Sequence, residues 1–201
     1  MAEQFDAVPS RRGDSGSAGS GRGGARGATL WLTGLPSAGK TTLAHALVEA
    51  LGGTRPPVEV LDGDAVRPVL SAELGYSRAD RDANVARIGW VAEVLARNGV
   101  LVIAAVVSPY AAARDKLRAA HEENGTTFLE VHVATPLEVC QARDVKGLYA
   151  RQAAGAMAGL TGVDDAYEPP TNPALRLDTA DRSLSESVEE LITLLQKEDL
   201  L

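Results

Sequence analysis

Short apolar runs alternate with amphipathic segments along most of the chain, and this alternation predicts strands separated by helices. Apolar residues recur at Val85, Ile88, Val91 and Leu95, the spacing of one helix face. Residues 100–107 are apolar without alternation, as in a strand that is covered on both faces. The pattern predicts strands at residues 29–33, 58–61, 100–107, 127–133 and 175–178, and helices at 41–51, 80–97, 110–122, 136–143 and 185–196. This order predicts an α/β fold, a parallel sheet with helices on both faces.

Two segments interrupt this pattern. Residues 10–27 consist mostly of Gly, Ser and Arg, and so few apolar groups cannot offset the entropy lost on ordering. We therefore expect residues 1–28 to be a flexible tail and residues 29–201 to be one domain. Glycines and prolines break the pattern again over residues 144–172, where we expect a mobile lid.

Composition narrows the classes of function. The chain has 201 residues, 45% of them hydrophobic, with 20 Lys+Arg against 27 Asp+Glu and a net charge of −7. The acidic balance argues against a nucleic-acid coat, and no apolar run approaches the ~20 residues of a membrane span. A lone cysteine and an N-terminus without a signal-peptide pattern favour a cytoplasmic protein. We expect the cysteine and the tryptophans to be packing residues and the scattered histidines to hold no metal: Cys140, Trp31, Trp90, His45, His121 and His132.

Residues 34–41 match the pattern G-x-x-x-x-G-K-[ST] between a predicted strand and a predicted helix, which is the context of a phosphate-binding loop. Glycines let successive backbone N–H groups point at a phosphate, and the helix N-terminus adds partial positive charge. We expect Lys40 to reach the β- and γ-phosphates of ATP and the Thr41 hydroxyl to bind Mg²⁺. The alternative is a glycine-rich turn with an exposed lysine. The predicted nucleotide-binding residues are Gly34, Leu35, Pro36, Ser37, Ala38, Gly39, Lys40, Thr41 and Thr42.

Two aspartates follow the second predicted strand, at the end where ligands gather in open α/β sheets. We expect Asp62 to serve the metal or to act as a base, and Asp64 to face a different group, an acceptor hydroxyl or a positioning arginine. The alternative is an ordinary acidic turn in which Asp64 caps a helix.

A cluster of basic residues comes next, and a phosphate site alone does not identify the acceptor of a phosphoryl group. Arg81, Asn84 and Arg87 lie at intervals of three and share a helix face, with Arg67 upstream. Guanidinium groups arranged in this way suit a bidentate grip on phosphate or sulfate, although a solvated charged face is the usual interpretation of such a run.

The order of motifs resembles the adenylylsulfate kinase (APS kinase) family from about residue 28 to the C-terminus. The motifs are GLPSAGKTT at 34–42, LDGDAVR at 61–67, LGYSRADRDANVARIG at 74–89, SPY at 108–110, RDVKGLY at 143–149 and TGVDDAYEPPTNP at 161–173. The resemblance implies transfer of the ATP γ-phosphate to the 3′-hydroxyl of adenosine 5′-phosphosulfate (APS), which gives PAPS and ADP. It also implies a five-stranded P-loop sheet, Mg²⁺, a homodimer and a functional association with ATP sulfurylase.

The family's residues carry over where the motifs match. Lys40, Asp62 and Ser108 are the implied catalytic residues, with Asp62 on both Mg²⁺ and the acceptor hydroxyl. Arg143 is the implied neighbour of the ATP base. The implied acceptor residues are Asp62, Asp64, Arg67, Tyr76, Arg81, Asn84, Ser108, Pro109, Tyr110, Lys146, Gly147 and Leu148. Tyr76 replaces the usual phenylalanine and keeps an aromatic face for the acceptor's adenine.

Several alternatives stay open on the sequence alone. A phosphoserine role described in the family for Ser108 competes with a hydroxyl that caps the following turn. Val145 replaces the family's usual proline, which predicts a less rigid open lid, and Ala86 replaces a basic residue beside Arg87. The rival functions are a P-loop kinase for another small acceptor and a non-catalytic nucleotide-binding partner of ATP sulfurylase.

Overall fold

The computed structural model describes residues 27–53 and 56–201, and its centre is one five-stranded parallel sheet. The strands are β1 (Ala28–Thr33), β2 (Val58–Asp62), β3 (Leu101–Ala105), β4 (Thr127–Val133) and β5 (Leu175–Leu177), in the order β2-β3-β1-β4-β5. The helices are α1 (Lys40–Leu51), α2 (Gly63–Leu70), α3 (Arg78–Arg97), α4 (Ala111–Glu123), α5 (Leu137–Arg143), α6 (Leu148–Ala153) and α7 (Leu184–Lys197). None of the helices in these two ranges has both the length and the apolar character needed to span a membrane.

The core lies on both faces of the sheet because successive side chains of a strand point to opposite sides. Leu30 and Leu32 of β1 belong to one buried cluster, which includes residues of α1 and α7. Trp31, between them, belongs to a second cluster with residues of α3 and α4, and its ring lies 6.0 Å from that of Phe128. The predicted α/β fold with helices on both faces is confirmed.

Each strand and helix predicted above is present, with boundaries that shift by at most two residues. The tail prediction ends too late, because Ala28 already pairs with Leu101 and Thr127; residues 1–26 lie outside the described residues. The predicted lid contains α6 as well as loops. The sequence pattern missed α2, which is only eight residues long, contains Pro68 and packs just two half-buried apolar residues, Val66 and Leu70, against the core.

One packing prediction is wrong. Trp90 is 67% exposed, whereas Trp31 and Cys140 are fully buried as expected. Helix α3 packs Ile88 and Ala92 toward the sheet, and Trp90 lies between them on the opposite side of the helix.

Sheet topology places the chemistry-bearing segments together. The carboxyl ends of β1, β2 and β3 lead into residue 34, residue 62 and residues 106–110, and all three ends lie at the same edge. From the central strand β1 the chain passes to the edge strand β2 and then to β3, which lies between β2 and β1. The next strand, β4, lies on the other side of β1. Such a reversal of strand order opens a crevice for ligands at the carboxyl ends.

Candidate active site

The loop between β1 and α1 has the backbone shape of a phosphate cradle. Gly39 takes a left-handed φ of 102° immediately before α1 begins at Lys40. At Gly34, a Cβ atom would lie only 2.4 Å from the backbone oxygen of Val133, so only glycine fits beside β4. These positions explain the two glycines of the pattern and leave the N-terminus of α1 open to an anion.

Lys40 is buried in this loop, with 8% of the residue exposed. Its ammonium donates hydrogen bonds to the carbonyl oxygens of Gly34 (2.9 Å) and Leu35 (2.8 Å). Burial lowers the pKa of Lys40 from 10.5 to about 8. The alternative of an exposed lysine on a turn is therefore wrong, and the ammonium is held where a bound phosphate supplies its missing counter-charge.

This lowered pKa predicts a pH dependence of nucleotide binding. The free protein loses the Lys40 proton as the pH rises through about 8, so we expect affinity for MgADP to fall above that pH. A bound phosphate favours the charged form, and kcat at saturating ATP should vary less. Titration calorimetry with MgADP between pH 7 and 9.5 measures the effect. A constant dissociation constant over this range would contradict the assignment of Lys40 as a phosphate ligand.

Thr41 and Asp62 form the oxygen-rich part of the site. The Thr41 hydroxyl donates to Oδ2 of Asp62 at 2.5 Å, while Oδ1 of Asp62 accepts from the backbone N–H of Asp64 at 2.8 Å. Asp62, and not Asp64, is therefore the N-cap of α2, which corrects the alternative raised from the sequence. A hydroxyl and a carboxylate are hard oxygen ligands that suit Mg²⁺, which keeps waters and substrate oxygens as its other ligands.

Asp64 lies farther out, with its side chain 71% exposed, and pairs with Lys146 of the lid. No group of three or more His, Cys, Asp or Glu side chains with metal-binding geometry occurs in the part of the chain that the structure describes. Two of the histidines have other partners: the His121 ring contacts Thr29 Oγ1 at 2.9 Å, and His132 stacks on Tyr167.

A single cavity of about 1210 Å³ extends from the phosphate loop to the basic cluster. One end is lined by Lys40, Thr41, Arg143, Thr179, Arg182 and Leu184, and the other by Arg67, Tyr76, Arg81, Asn84, Ser108 and Pro109. Drug-sized ligands occupy pockets of roughly 300–1,000 Å³, so this volume accommodates two nucleotide-sized molecules. Asp62, Asp64 and Lys146 line the same cavity.

The end opposite the phosphate loop combines cations with an aromatic ring. The Arg67 guanidinium lies 4.5 Å from the centre of the Tyr76 ring and donates to the carbonyl oxygens of Leu74 (3.2 Å) and Gly75 (2.5 Å). Tyr76 is 67% exposed, so much of its ring is available to stack on a planar ligand. Oδ1 of Asn84 is buried and has no hydrogen-bond partner among the described residues. A buried amide oxygen without a partner is costly and marks a position for a ligand donor.

Arg81 connects this end of the cavity to the lid. Its guanidinium donates to Tyr76 O (2.9 Å), Thr161 Oγ1 (3.0 Å) and Gly159 O (2.5 Å), and it lies 3.4 Å from Asp165. Arginine carries five N–H donors, so donors are left over for an anion in the cavity. Sequence reasoning missed Asp165, because its contact with Arg81 depends on how the lid folds back.

Other predicted residues occupy different positions. Arg87 points away from the cavity, to Leu70 O (2.7 Å) and Glu73, so its predicted place beside Arg81 in an anion grip is wrong. Tyr110 lies behind the cavity wall, where its hydroxyl donates to Asp165. Leu148 lines the cavity, while the neighbouring Gly147 is the N-cap of α6.

The nucleotide end contains residues that the sequence did not reveal. Thr179 and Arg182 follow β5, and their position after a strand end was an available signal. Arg143, predicted near the ATP base, donates to Thr179 Oγ1 and Thr179 O at 2.7 Å each. Thr179 in turn donates to Ala38 O at 3.0 Å, so Arg143 and Thr179 together stabilise the phosphate loop.

A phosphate loop after β1, a Thr–Asp pair for a metal and a second anion pocket in the same cavity define a P-loop kinase, a protein that transfers phosphoryl groups from a nucleoside triphosphate. Residues 26–178 match the family described as adenylylsulphate kinase. The chain belongs to the adenylylsulphate kinase family.

Solved and curated relatives agree with this membership. The chain is 53% identical over 166 residues to an adenylyl-sulfate kinase of Synechococcus sp. (strain JA-3-3Ab), which covers 83% of this chain and 92% of that protein. It is 44% identical to the APS kinase CysC of Mycobacterium tuberculosis, solved in complex with AMPPNP and APS, with a TM-score of 0.82 over 85% of this chain and 98% of the other. A hexameric APS kinase from Thiobacillus denitrificans is 34% identical, with a TM-score of 0.67 over 89% of this chain and 30% of the other.

Proposed function

We propose that the protein transfers the γ-phosphate of ATP to the 3′-hydroxyl of adenosine 5′-phosphosulfate and releases PAPS and ADP. The observation that carries this proposal is one continuous cavity that joins a phosphate loop to a pocket of arginines, a tyrosine and an Asn84 oxygen with no hydrogen-bond partner among the described residues. The M. tuberculosis relative was solved with an ATP analogue and APS. Its similarity extends over 85% of this chain, with a TM-score of 0.82.

Each chemical group of APS has a matching partner at the end of the cavity opposite the phosphate loop. The phosphosulfate is a strong anion, which the remaining N–H donors of Arg67 and Arg81 bind in charge-assisted hydrogen bonds. The adenine is planar and stacks on the exposed face of Tyr76, and the adenosine supplies donors for the Asn84 oxygen. Pro109 and Leu148 give the pocket apolar walls.

Phosphoryl transfer then depends on position and charge. Lys40 contacts the β- and γ-phosphates, and Thr41 and Asp62 would hold Mg²⁺, which neutralises phosphate charge when bound. Asp62 also orients the acceptor hydroxyl and takes its proton. Arg143 lies beside the adenine of ATP, and Lys146 approaches the phosphates as the lid closes and excludes water. The hydroxyl of Ser108 takes no covalent part, since it is buried and already bonded to Trp31 (3.0 Å) and Thr33 (2.9 Å).

The proposal is tested by measuring ADP release from MgATP with and without APS and identifying the nucleotide products by mass. We expect APS-dependent ADP and a product one phosphoryl group heavier than APS. Gluconate and nucleoside monophosphates serve as competing acceptors. ATP binding without APS-dependent turnover would overturn the proposal and favour another acceptor or a non-catalytic role.

We further propose that the active form is a homodimer, as the family resemblance implies. The T. denitrificans relative, of which the match covers 30%, is a hexamer. Light scattering coupled to size-exclusion chromatography should give twice the mass of the 21.0 kDa chain. A monomer mass at concentrations used for the activity assay would contradict this proposal.

The lid contact of Lys146 yields a separate prediction. Lys146 and Asp64 are 52% and 71% exposed, and such an ion pair contributes little to stability. We therefore expect Lys146→Ala to leave the melting temperature unchanged and to lower kcat by about 100-fold, because it removes a cation from the closed site. Lys116→Ala, on the surface of α4, is the matched control. Equal activity of the two variants would exclude a role for Lys146 at the phosphates.

A further inference from the structure

Helix α4 contributes a buried arginine that the mechanism above does not use. Arg114 is 1% exposed, although arginine is rarely fully buried in proteins. Its Nε donates to Glu130 Oε1 (2.6 Å), its Nη1 to Ser108 O (2.7 Å) and its Nη2 to Glu168 O (2.6 Å). One guanidinium thus joins β4, the segment that follows β3 and the last part of the lid.

The first of these segments is the cavity wall at Ser108 and Pro109. Ser108 has a φ of 40°, which a residue with a side chain adopts only when its surroundings hold it there. Its hydroxyl is fixed by Trp31 and Thr33, and its carbonyl oxygen accepts from Arg114. The orientation of this wall therefore depends on the Arg114 contact as well as on the side chain of Ser108.

The second segment is the end of the lid at Tyr167 and Glu168. Glu168 N–H donates to Pro109 O at 2.8 Å, and its Oε2 accepts from Ala111 N–H at 2.8 Å. The Tyr167 hydroxyl contacts Thr33 Oγ1 at 3.1 Å. The lid is fastened here to the same strand end that lines the acceptor pocket, and Arg114 lies at the junction.

A purely stabilising role does not account for this arrangement. Replacing a buried ion pair by apolar groups is often neutral or stabilising, because desolvation offsets the attraction between the charges. The guanidinium instead fixes geometry, because its three nitrogens donate at fixed angles to acceptors on three separate segments. We propose that Arg114 is a positioning residue that aligns the Ser108–Pro109 wall and the anchored end of the lid around the acceptor.

This inference rests on the proposed function, since it assigns the pocket at Ser108 and Pro109 to the acceptor. It predicts that a change at Arg114 affects the acceptor end of the cavity more than the nucleotide end. Arg114 contacts neither the phosphate loop nor Asp62, so disturbing it should impair handling of the acceptor and leave nucleotide binding intact.

The test compares Arg114→Lys with Arg118→Lys. Arg118, one turn later on α4, donates to the other oxygen of Glu130 at 2.6 Å but makes no hydrogen bond to Ser108 or Glu168 in the described residues. Both variants replace a guanidinium by an ammonium and keep a positive charge beside Glu130, but only Arg114→Lys loses a guanidinium that donates to three segments. We expect Arg114→Lys to raise the KM for APS by about tenfold, with MgADP affinity within about twofold of the parent, since small misplacements in a site cost large factors. Arg118→Lys should match the parent in both.

Two results would overturn the inference: an unchanged KM for APS in Arg114→Lys, or an equal loss of MgADP and APS affinity. Should Arg114→Lys not fold, Tyr167→Phe removes one hydroxyl from the same junction. It should raise the KM for APS by about threefold without changing MgADP affinity, and an unchanged KM would reject the inference. The parent protein is assayed first. Absence of APS turnover in the parent would count against the proposed function, and the variants would then be compared on whichever acceptor it phosphorylates.

Discussion

Replacing Lys40 by alanine is expected to lower kcat by about 1,000-fold while the protein stays folded. The Lys40 ammonium is the buried cation of the phosphate loop, held by the carbonyl oxygens of Gly34 and Leu35. Negative charge on the transferred phosphoryl group and on the ADP leaving group has no other fixed cation inside this loop. Losing it removes an interaction that strengthens as the reaction proceeds, so kcat should fall more than the affinity for ATP.

We expect Lys40→Ala to lose activity without losing thermal stability. Burial lowers the pKa of Lys40 to about 8, so the unfolded chain binds this proton more tightly than the folded protein does. The charged group therefore opposes folding below pH 8, and its contribution becomes more favourable as the pH rises toward 10.5. Lys40→Ala should melt at or above the temperature of the parent near pH 7. Steady-state ADP release and thermal melting measure the two effects, with Lys116→Ala as the control. Activity within tenfold of the parent would sink the assignment.

The sequence was sufficient to predict the phosphate site because its physics is local. Eight consecutive residues contain the glycines, the lysine and the threonine, and the flanking strand and helix are strongly apolar in pattern. The proximity of Thr41 and Asp62 also follows from rules about strand ends, because the phosphate loop leads from the carboxyl end of β1 to Thr41 and Asp62 is the last residue of β2 in the same parallel sheet.

The short helix α2 and the orientation of Arg87 on α3 were not predicted correctly. Helix α2 begins at the cap on Asp62, has eight residues and contains Pro68, so its single apolar pair, Val66 and Leu70, is too short a pattern to reveal it. Spacing along α3 correctly placed Arg81 and Asn84 on one side but wrongly added Arg87. An α-helix has 3.6 residues per turn, so residues spaced three apart rotate progressively around the helix axis. Arg87, two such intervals after Arg81, therefore no longer faces the cavity.

Contacts between distant segments lay beyond any local pattern. Arg114 contacts Glu168, which is 54 positions away, and Arg81 contacts Thr161 at a separation of 80. Both contacts involve the predicted lid, whose glycines and prolines indicate only that regular structure stops. Consequently the residues proposed to bind phosphate could be named from the sequence, whereas Arg114, proposed to orient the acceptor pocket, could not.

Asp62→Asn is the second variant for which we expect a large effect, with kcat lowered by about 100- to 1,000-fold. The substitution is nearly isosteric, and asparagine caps a helix about as well as aspartate, so α2 should still begin at Gly63. What it removes is the negative charge that faces Thr41 and the basic oxygen that orients the acceptor hydroxyl. We also expect Asp62→Asn to bind Mg²⁺ more weakly, so that a higher magnesium concentration is needed to reach the half-maximal rate.

Asp64→Asn is the matched control for this variant, since Asp64 lies two residues away, is also an aspartate and contacts only the lid residue Lys146 through its side chain among the described residues. A kcat within about tenfold of the parent and an unchanged magnesium requirement are expected for it. If the two asparagine variants lost activity equally, net charge at this strand end would explain the effect, and the specific role of Asp62 would be rejected. If only Asp62→Asn fails and its melting temperature matches the parent, the carboxylate acts on the reacting groups and not through the helix that it caps.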